Sequence, residues 1–337
     1  MSAQDTPGEF ELIRRFFSRP DAPPDASAGV LLGIGDDAAL LAMPPQAELA
    51  VTVDTIVSGR HFPAGTDARS IGHRALAVNL SDLAAMGATP AWATLALTLP
   101  EADAAWLERF AAGFFSLADE HAVSLVGGDT TRGPLTVSVQ LMGHVARGTA
   151  LRRDGARAGD LLAVTGTLGD AGAGLSFATA RGAPENRAAA FELIRRFDYP
   201  AARVAFGIAA RGVASAAMDL SDGLVGDLPK LAAASAVAAH VHVELLPLSD
   251  SLRAAVSPDQ ARDWALAAGD DYELLLAVPP PRCAELAAVA SRLNLTLTVI
   301  GHVRAGRGVT WSFNGGEFTP AANGWDHFAQ ASTQITV

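Results

Sequence analysis

Two adjacent carboxylates, Asp36 and Asp37, stand between a glycine turn and an apolar run in the stretch from Leu31 to Leu40. Adjacent like charges repel, and a pair set among residues that read as buried raises one carboxyl pKa unless a cation neutralises it. The same signature returns in Thr52-Val53-Asp54-Thr55, Asn79-Leu80-Ser81-Asp82, Gly127-Gly128-Asp129-Thr130-Thr131, Asp219-Leu220-Ser221-Asp222-Gly223 and Gly269-Asp270-Asp271-Tyr272. Together these motifs hold nine aspartates in a chain whose formal net charge is −11. One such Asp caps a helix or turns a loop. Six motifs of hard oxygen donors, with no Cys or His cluster among them, point instead to Mg²⁺, Mn²⁺ or Ca²⁺ and away from zinc.

The remaining polar residues narrow the chemistry. Lys230 is the only lysine, so neither a Walker A lysine nor the strand lysine of protein kinases is present. Without a cysteine nucleophile or a Ser-His-Asp arrangement, many carboxylates suggest chemistry done by metals on phosphates. Like charges about 4 Å apart at an effective dielectric near 20 repel by roughly 4 kcal/mol per pair, so two anions meet only over divalent ions. A phosphate acceptor is already mostly anionic at neutral pH and needs no general base.

The elements that must position these residues follow from pattern. A length of 337 residues with 50% hydrophobic content predicts two domains in contact, 1–147 and 148–337. The acidic balance speaks against nucleic acid and anionic membrane as partners. Cys283 stands alone and permits no internal disulfide, and the polar segment Met1 to Gly8 is not expected to act as a signal peptide. No apolar run reaches the roughly 18 residues of a membrane span, so a cytoplasmic protein is expected.

Along the chain, short strands at Val30 to Ile34, Ala38 to Met43 and Leu49 to Ile56 bring Asp37 and Asp54 to strand ends, with His61 close behind. A helix from Thr66 or Asp67 to about Met86 places Ala75, Asn79 and Asp82 on one face. Asp82 is thus a charge on an apolar helix. A strand Ser124 to Val126 runs into glycines whose N–H groups could approach phosphate, with Asp129 beside a metal and Arg132 at an oxygen. Arg152, Arg153 and Arg157 read by default as surface charge. Gly166 to Gly172 opens a helix and is either a phosphate cradle or a close-packing device. Ser221 suits a helix N-cap with Asp222 in the first turn. Strands Val241 to Leu246 and Leu274 to Val278, a helix from Pro258 to Ala267 and an aromatic cluster at Trp325 to Phe328 complete an α/β or α+β pattern.

These motifs, in this order and over almost the whole chain, resemble the thiamine-monophosphate kinases of the aminoimidazole-ribonucleotide synthetase-like superfamily. The resemblance rests on Gly33-Ile34-Gly35-Asp36-Asp37-Ala38, Asp54-Thr55 with His61, Asn79 to Ala88, Gly127 to Gly133, Asp219 to Leu224 and Asp271-Tyr272-Glu273-Leu274. It implies ATP-dependent phosphorylation of thiamine monophosphate to thiamine diphosphate by in-line transfer over several Mg²⁺ ions. It implies Asp37, Thr52, Val53, Asp54, Asp82, Asp129, Asp219 and Asp222 as metal ligands, with Asp54, Asp82, Asp129 and Asp222 central to catalysis. Gly128, Asp129, Arg153 and Ser221 would contact ATP, and His61, Asp270 and Trp325 the thiamine phosphate. The family usually carries Glu at the position of Asp270 and a hydroxyl residue at that of Val53, so Val53 would ligate only through its carbonyl. The implied fold is an N-terminal ATP- and metal-binding α/β domain whose strands pair across a homodimer, with a C-terminal α/β domain covering the cleft. Other ATP-using members of the superfamily, a metal-stabilised binding module and a metal-dependent phosphohydrolase are the rivals. Selenophosphate synthetases would want a cysteine near the N-terminus, where Cys283 is not.

Overall fold

The computed structural model describes residues 9–18, 29–179, 186–322 and 324, and its contacts cluster into two compact units. The first comprises the chain through Leu83 together with Thr89–Gly148; the second comprises Ala84–Ala88 and the chain from Thr149 onward.

The first unit contains α1 (Glu9–Leu12), which runs into a π turn at Ile13–Phe17, then β1 (Val30–Leu32), β2 (Leu40–Leu41), β3 (Ala47–Val57), α2 (Ala68–Ala85), β4 (Thr89–Leu99), α3 (Ala104–Glu120), β5 (Ser124–Arg132) and β6 (Thr136–Ala146). Its main sheet has the order β3-β6-β4-β5, with β6 antiparallel to both neighbours and β5 parallel to β4. A parallel pair needs a crossover, which α3 supplies. Asp103 caps that helix by accepting from the N–H groups of Ala105 and Trp106 at 2.9 and 3.1 Å. Leu107, Phe110, Phe114 and Leu117 then fall on its buried face at helical spacing. Helix α2 is buried almost all round, and Ile71, Leu76, Leu80 and Leu83 are fully enclosed. It crosses α3 at a pair of glycines: a Cβ on Gly72 would lie 2.1 Å from the Phe110 carbonyl oxygen, and one on Gly113 1.9 Å from that of Arg69.

The second unit contains β7 (Leu161–Thr165), α4 (Asp170–Thr179), α5 (Arg187–Asp198), α6 (Val204–Ala210), β8 (Ala216–Leu220), α7 (Leu224–Ala234), β9 (Ala238–His242), α8 (Asp250–Ala255), α9 (Pro258–Ala267), β10 (Glu273–Val278), α10 (Cys283–Arg292), β11 (Leu297–Arg304), β12 (Gly308–Phe313) and β13 (Gly316–Phe318). Seven strands form one mixed sheet in the order β13-β12-β9-β11-β7-β10-β8. Strands β8 and β10 are buried along their whole length and read as unbroken apolar runs apart from Asp219 and Glu273. Those two acids are the only charged residues on the two strands.

The α/β class is as expected, with four local differences. Strand β5 continues through both glycines to Arg132. The expected strand from Val241 to Leu246 stops at His242 and turns as a 3₁₀ segment at Val243–Leu245. Helix α8 and strand β13 had no signal strong enough to be foreseen. Among the described residues no helix is long and apolar enough to cross a membrane.

Candidate active site

In the first unit the pleat of β3 sorts the predicted ligands. Thr52, Asp54 and Ile56 lie on its less exposed face, whereas Val51, Val53 and Thr55 lie on the solvent side. Val53 is 64% exposed, so its side chain projects away from Thr52 and Asp54 and only its carbonyl oxygen is a donor. The Thr52 hydroxyl donates a short hydrogen bond to Oδ2 of the half-buried Asp82 on α2. One turn earlier on that helix Asn79 is fully buried; its Nδ2 donates to the Ala75 carbonyl at 3.0 Å, while its Oδ1 has no partner among the described residues. A buried amide oxygen without a donor costs stability and is an acceptor awaiting a ligand. Hydroxyl, carboxylate and amide oxygens are the donor set a hard divalent cation prefers, so these residues fit Mg²⁺.

His61 is held by its own loop. Its Nδ1 accepts from the Val57 N–H at 3.0 Å, so the neutral ring carries its proton on Nε2.

Other expected ligands of this unit stand differently from the sequence reading. Asp36 and Asp37 lie in an exposed turn, where Asp36 Oδ1 accepts from the Asp37 N–H at 2.8 Å, so burial supplies no argument for a cation at that pair. Gly128 and Asp129 are exposed residues within β5, not a loop after it. Pairing with β4 requires the glycine, because a Cβ on Gly128 would sit 1.9 Å from the Leu95 carbonyl oxygen. Arg132 donates from Nε to the Pro100 carbonyl at 3.3 Å.

In the second unit Asp219 is buried near the end of β8, and the chain then turns sharply into α7. The N-cap of α7 is Gly223, with a left-handed φ of 88°, so Ser221 and Asp222 precede the helix and do not cap it as expected. Their N–H groups donate to Oδ2 of Asp227 at 3.0 and 2.9 Å. Asp227, buried in the first turn of α7, is the residue that shapes this turn. Desolvation pushes its carboxyl upward, against the bond from Lys230. Lys230 Nζ bridges Asp222 Oδ2 at 2.6 Å and Asp227 Oδ1 at 2.9 Å. Burial works against the ammonium, yet its two acidic partners hold its pKa above the ordinary value.

The segment Gly269 to Tyr272 packs on that turn: Asp270 N–H donates to Ser221 O and Tyr272 N–H to Leu220 O, both at 2.9 Å. Asp270 and Tyr272 have φ of 60° and 52°, and the Tyr272 hydroxyl donates to Asp270 Oδ1 at 3.0 Å. Asp271 turns the other way and accepts from the N–H groups of Gly169 and Ala171 at 2.6 and 3.3 Å. Desolvation raises its carboxyl well above the usual range, with Asp170 and Glu273 adding to the rise. The amides at the start of α4 are therefore taken by an internal carboxyl, and the Gly166 to Gly172 stretch serves close packing, not a phosphate. A Cβ on Gly166 would fall 1.9 Å from Glu273 Oε1.

Arg153 is exposed on a 3₁₀ turn, and its carbonyl accepts from the Ser235 hydroxyl at 2.6 Å. Arg152 pairs with Asp154 at 2.6 Å in solvent, as surface charge does. Trp325 and the aromatic cluster after it lie outside the described residues. Among the described residues no three His, Cys, Asp or Glu side chains surround a common point. Thr52 with Asp82, and Asp222 with Asp227 and Lys230, are the groups brought together. Sequence reasoning missed Asp227, which it could have found as an acid in the first turn of a helix opened by Gly223. It noticed Lys230 without placing it.

Comparison with known proteins identifies the family. Residues 35–145 match the AIR synthase related protein N-terminal domain, and residues 157–312 match the corresponding C-terminal domain. Thiamine-monophosphate kinase of Escherichia coli K12 is 45% identical over 323 residues, covering 96% of this chain and 98% of the relative. The crystal structure of thiamine-monophosphate kinase from Stenotrophomonas maltophilia K279a superposes with a TM-score of 0.80 at 50% identity, covering 86% of this chain and 92% of that one. A second solved structure, AaThiL complexed with AMPPCP and TMP, gives 0.76 at 35% identity over 88% and 92%. The chain therefore belongs to the AIR synthase related proteins and, within them, to the thiamine-monophosphate kinase family of enzymes.

Proposed function

We propose that this enzyme transfers the γ-phosphoryl group of ATP to the phosphate of thiamine monophosphate, giving thiamine diphosphate. The observation that carries the reading is the match of nearly the whole chain to thiamine-monophosphate kinases, one relative of which is solved with AMPPCP and TMP. Asp37, Asp54, Asp82 and Asp129, with Thr52 and the Val53 carbonyl, and Asp219 with Asp222, are the proposed Mg²⁺ ligands. When bound, Mg²⁺ neutralises the repulsion between two phosphates and orients them for in-line attack. Thr52 fixes the Asp82 carboxylate, and Asp227 holds the Ser221-Asp222 turn so that its hydroxyl and carboxylate stay in place. His61 offers an Nε2 proton to an anion, and Asp270 is held by Tyr272 for the substrate's cationic part. Gly128, Arg153 and Ser221 are the proposed contacts to ATP, and Trp325 the stacking partner of a thiamine ring.

Purified protein given ATP, thiamine monophosphate and Mg²⁺ is expected to form thiamine diphosphate, detected by chromatography, and a chelator is expected to stop it. Free phosphate released from ATP in the absence of acceptor, with no thiamine diphosphate formed, would identify a phosphohydrolase instead.

We also propose a homodimer joined through the first unit. Leu49, Val51 and Val53 form an apolar row on the solvent side of β3, each at least half exposed, and β3 is an edge strand of its sheet. Such a row is a self-association surface. Val51→Lys is expected to shift the mass measured by light scattering from dimer to monomer; a wild-type protein that runs as a monomer at micromolar concentration would refute the proposal.

A further inference from the structure

The large sheet of the second unit carries a cluster of imidazoles on residues that the proposed chemistry does not use. His240 and His242 alternate on β9 and so project from one face, and His302 on β11 is the direct antiparallel partner of His240. The ring centroids are 4.8 Å apart for His240 and His242, 5.3 Å for His240 and His302, and 5.8 Å for His242 and His302. Ala239, Val241 and Val303, which alternate with them, are buried in the core. The three rings therefore cannot leave this half-exposed face without breaking the sheet.

Hydrogen bonds assign their tautomers. The Thr310 hydroxyl donates to the Ala239 carbonyl at 3.4 Å, so it accepts from His240 Nδ1 at 2.8 Å. His240 Nε2 then carries no proton and accepts from the Ser312 hydroxyl at 3.1 Å. Ser312, having donated, accepts from His242 Nδ1 at 3.1 Å, so the neutral His242 ring has its lone pair on Nε2. Arg304 Nε donates to His302 Nε2 at 2.6 Å, so that nitrogen also bears a lone pair. The neutral form of each ring thus has an unprotonated Nε2, the state in which imidazole binds a metal. Burial first, and the charge of Arg304 next, hold His240 and His302 below the ordinary imidazole range, with Glu244 acting in the opposite sense on His240.

We propose that His240, His242 and His302 bind one divalent late transition ion, of the Zn²⁺ class, through their three Nε2 atoms, with water completing a tetrahedron. Imidazole suits such ions, whereas the oxygen-rich active-site residues suit Mg²⁺, so the two sites select different metals. The rings do not yet converge on one point. Binding therefore requires the rings to rotate: Arg304, which is exposed, would swing its guanidinium into solvent, and Thr310 and Ser312 would release His240. The backbone already sets the spacing, since two ligands two residues apart on one strand face a third across the ladder. A bound ion ties β9 to β11.

The test uses the full-length protein freed of metal and then supplied with excess Mg²⁺, so that hard-oxygen sites are filled. Calorimetric titration with Zn²⁺ is expected to give one equivalent bound per chain, and Co²⁺ is expected to give the visible absorption of a tetrahedral nitrogen site. His242→Gln and His302→Gln should each weaken Zn²⁺ uptake by more than about a hundredfold, while their metal-free melting temperatures and the turnover of thiamine monophosphate stay at wild-type values. Arg304→Ala, which releases His302 Nε2, should strengthen uptake. No uptake under excess Mg²⁺, or uptake that all three variants leave unchanged, would overturn the proposal. A cluster serving only the sheet's own hydrogen bonds predicts one of these two outcomes.

Discussion

Asp82→Asn is expected to lower kcat by about a hundredfold to a thousandfold or more while leaving the fold in place. The substitution keeps the shape of the side chain and an oxygen that can accept from the Thr52 hydroxyl, so the contact between β3 and α2 survives. A change of this kind at a half-buried position with its hydrogen bond retained costs about 1 kcal/mol of stability or less. What disappears is the negative charge. If that charge helps hold a cation over two phosphates, its loss falls on the transition state, where removal of one electrostatic group costs about 3 to 4 kcal/mol. Initial rates at saturating ATP and thiamine monophosphate, measured across a Mg²⁺ series and beside a thermal melt, separate the two effects. The Mg²⁺ concentration for half-maximal rate should rise together with the loss of kcat. An Asp82→Asn protein that melts many degrees lower yet turns over normally at low temperature would make Asp82 a structural residue. The buried Asn79 Oδ1 one turn away gives an independent check, because Asn79→Leu should alter Mg²⁺ dependence in the same direction.

How far the sequence alone reaches is visible at particular residues. Helix α9 was legible because Ser257 accepts from the Gln260 N–H and Pro258 opens the first turn, both local signals. The face shared by Asn79 and Asp82 followed from helical spacing. The full length of β5 was not legible: two consecutive glycines read as a break, whereas the bareness of Gly128 is what lets the strand lie against the Leu95 carbonyl. The turn at Ser221 and Asp222 was misread as a cap because the helix opens on Gly223 instead, and Asp227 in its first turn accepts from the backbone N–H groups of Ser221 and Asp222 ahead of the helix. Asp270 gave no sign of its left-handed backbone, since aspartate tolerates that region and its cause is the packing of the 269–272 segment on Ser221. The roles of Asp271 and Glu273 depend on partners about a hundred residues away, such as Gly169 and Thr165, and no local pattern announces them.

Glu273→Gln is expected to be the most destabilising conservative change in the second unit. Glu273 opens β10 with its side chain wholly enclosed, and its carboxylate accepts from Thr165 Oγ1 at 2.7 Å and from Arg203 Nε at 2.7 Å, with a further short bond from Arg203 Nη2. Arg196 Nη2 approaches at 3.5 Å. Burial alone would lower the Arg203 pKa, and the bonds to Glu273 more than reverse that effect. Glutamine keeps one acceptor but turns an N–H₂ group toward a guanidinium and leaves two cations facing a neutral partner. Breaking a buried pair from one side costs about 3 to 5 kcal/mol, and at roughly 2 to 4 °C per kcal/mol for a unit of this size the melting temperature should fall on the order of 10 °C. Because the 269–272 segment leads directly into Glu273, the same change should also loosen Asp270 and raise KM for thiamine monophosphate in the fraction that remains folded. A companion variant tests the cause. Replacing both partners, Glu273→Leu with Arg203→Met, removes the stranded charge together with the acid and should be less destabilising than Glu273→Gln alone. Calorimetric melting of both variants decides the matter, since a glutamine variant as stable as wild type would mean that the two arginines are solvated without Glu273.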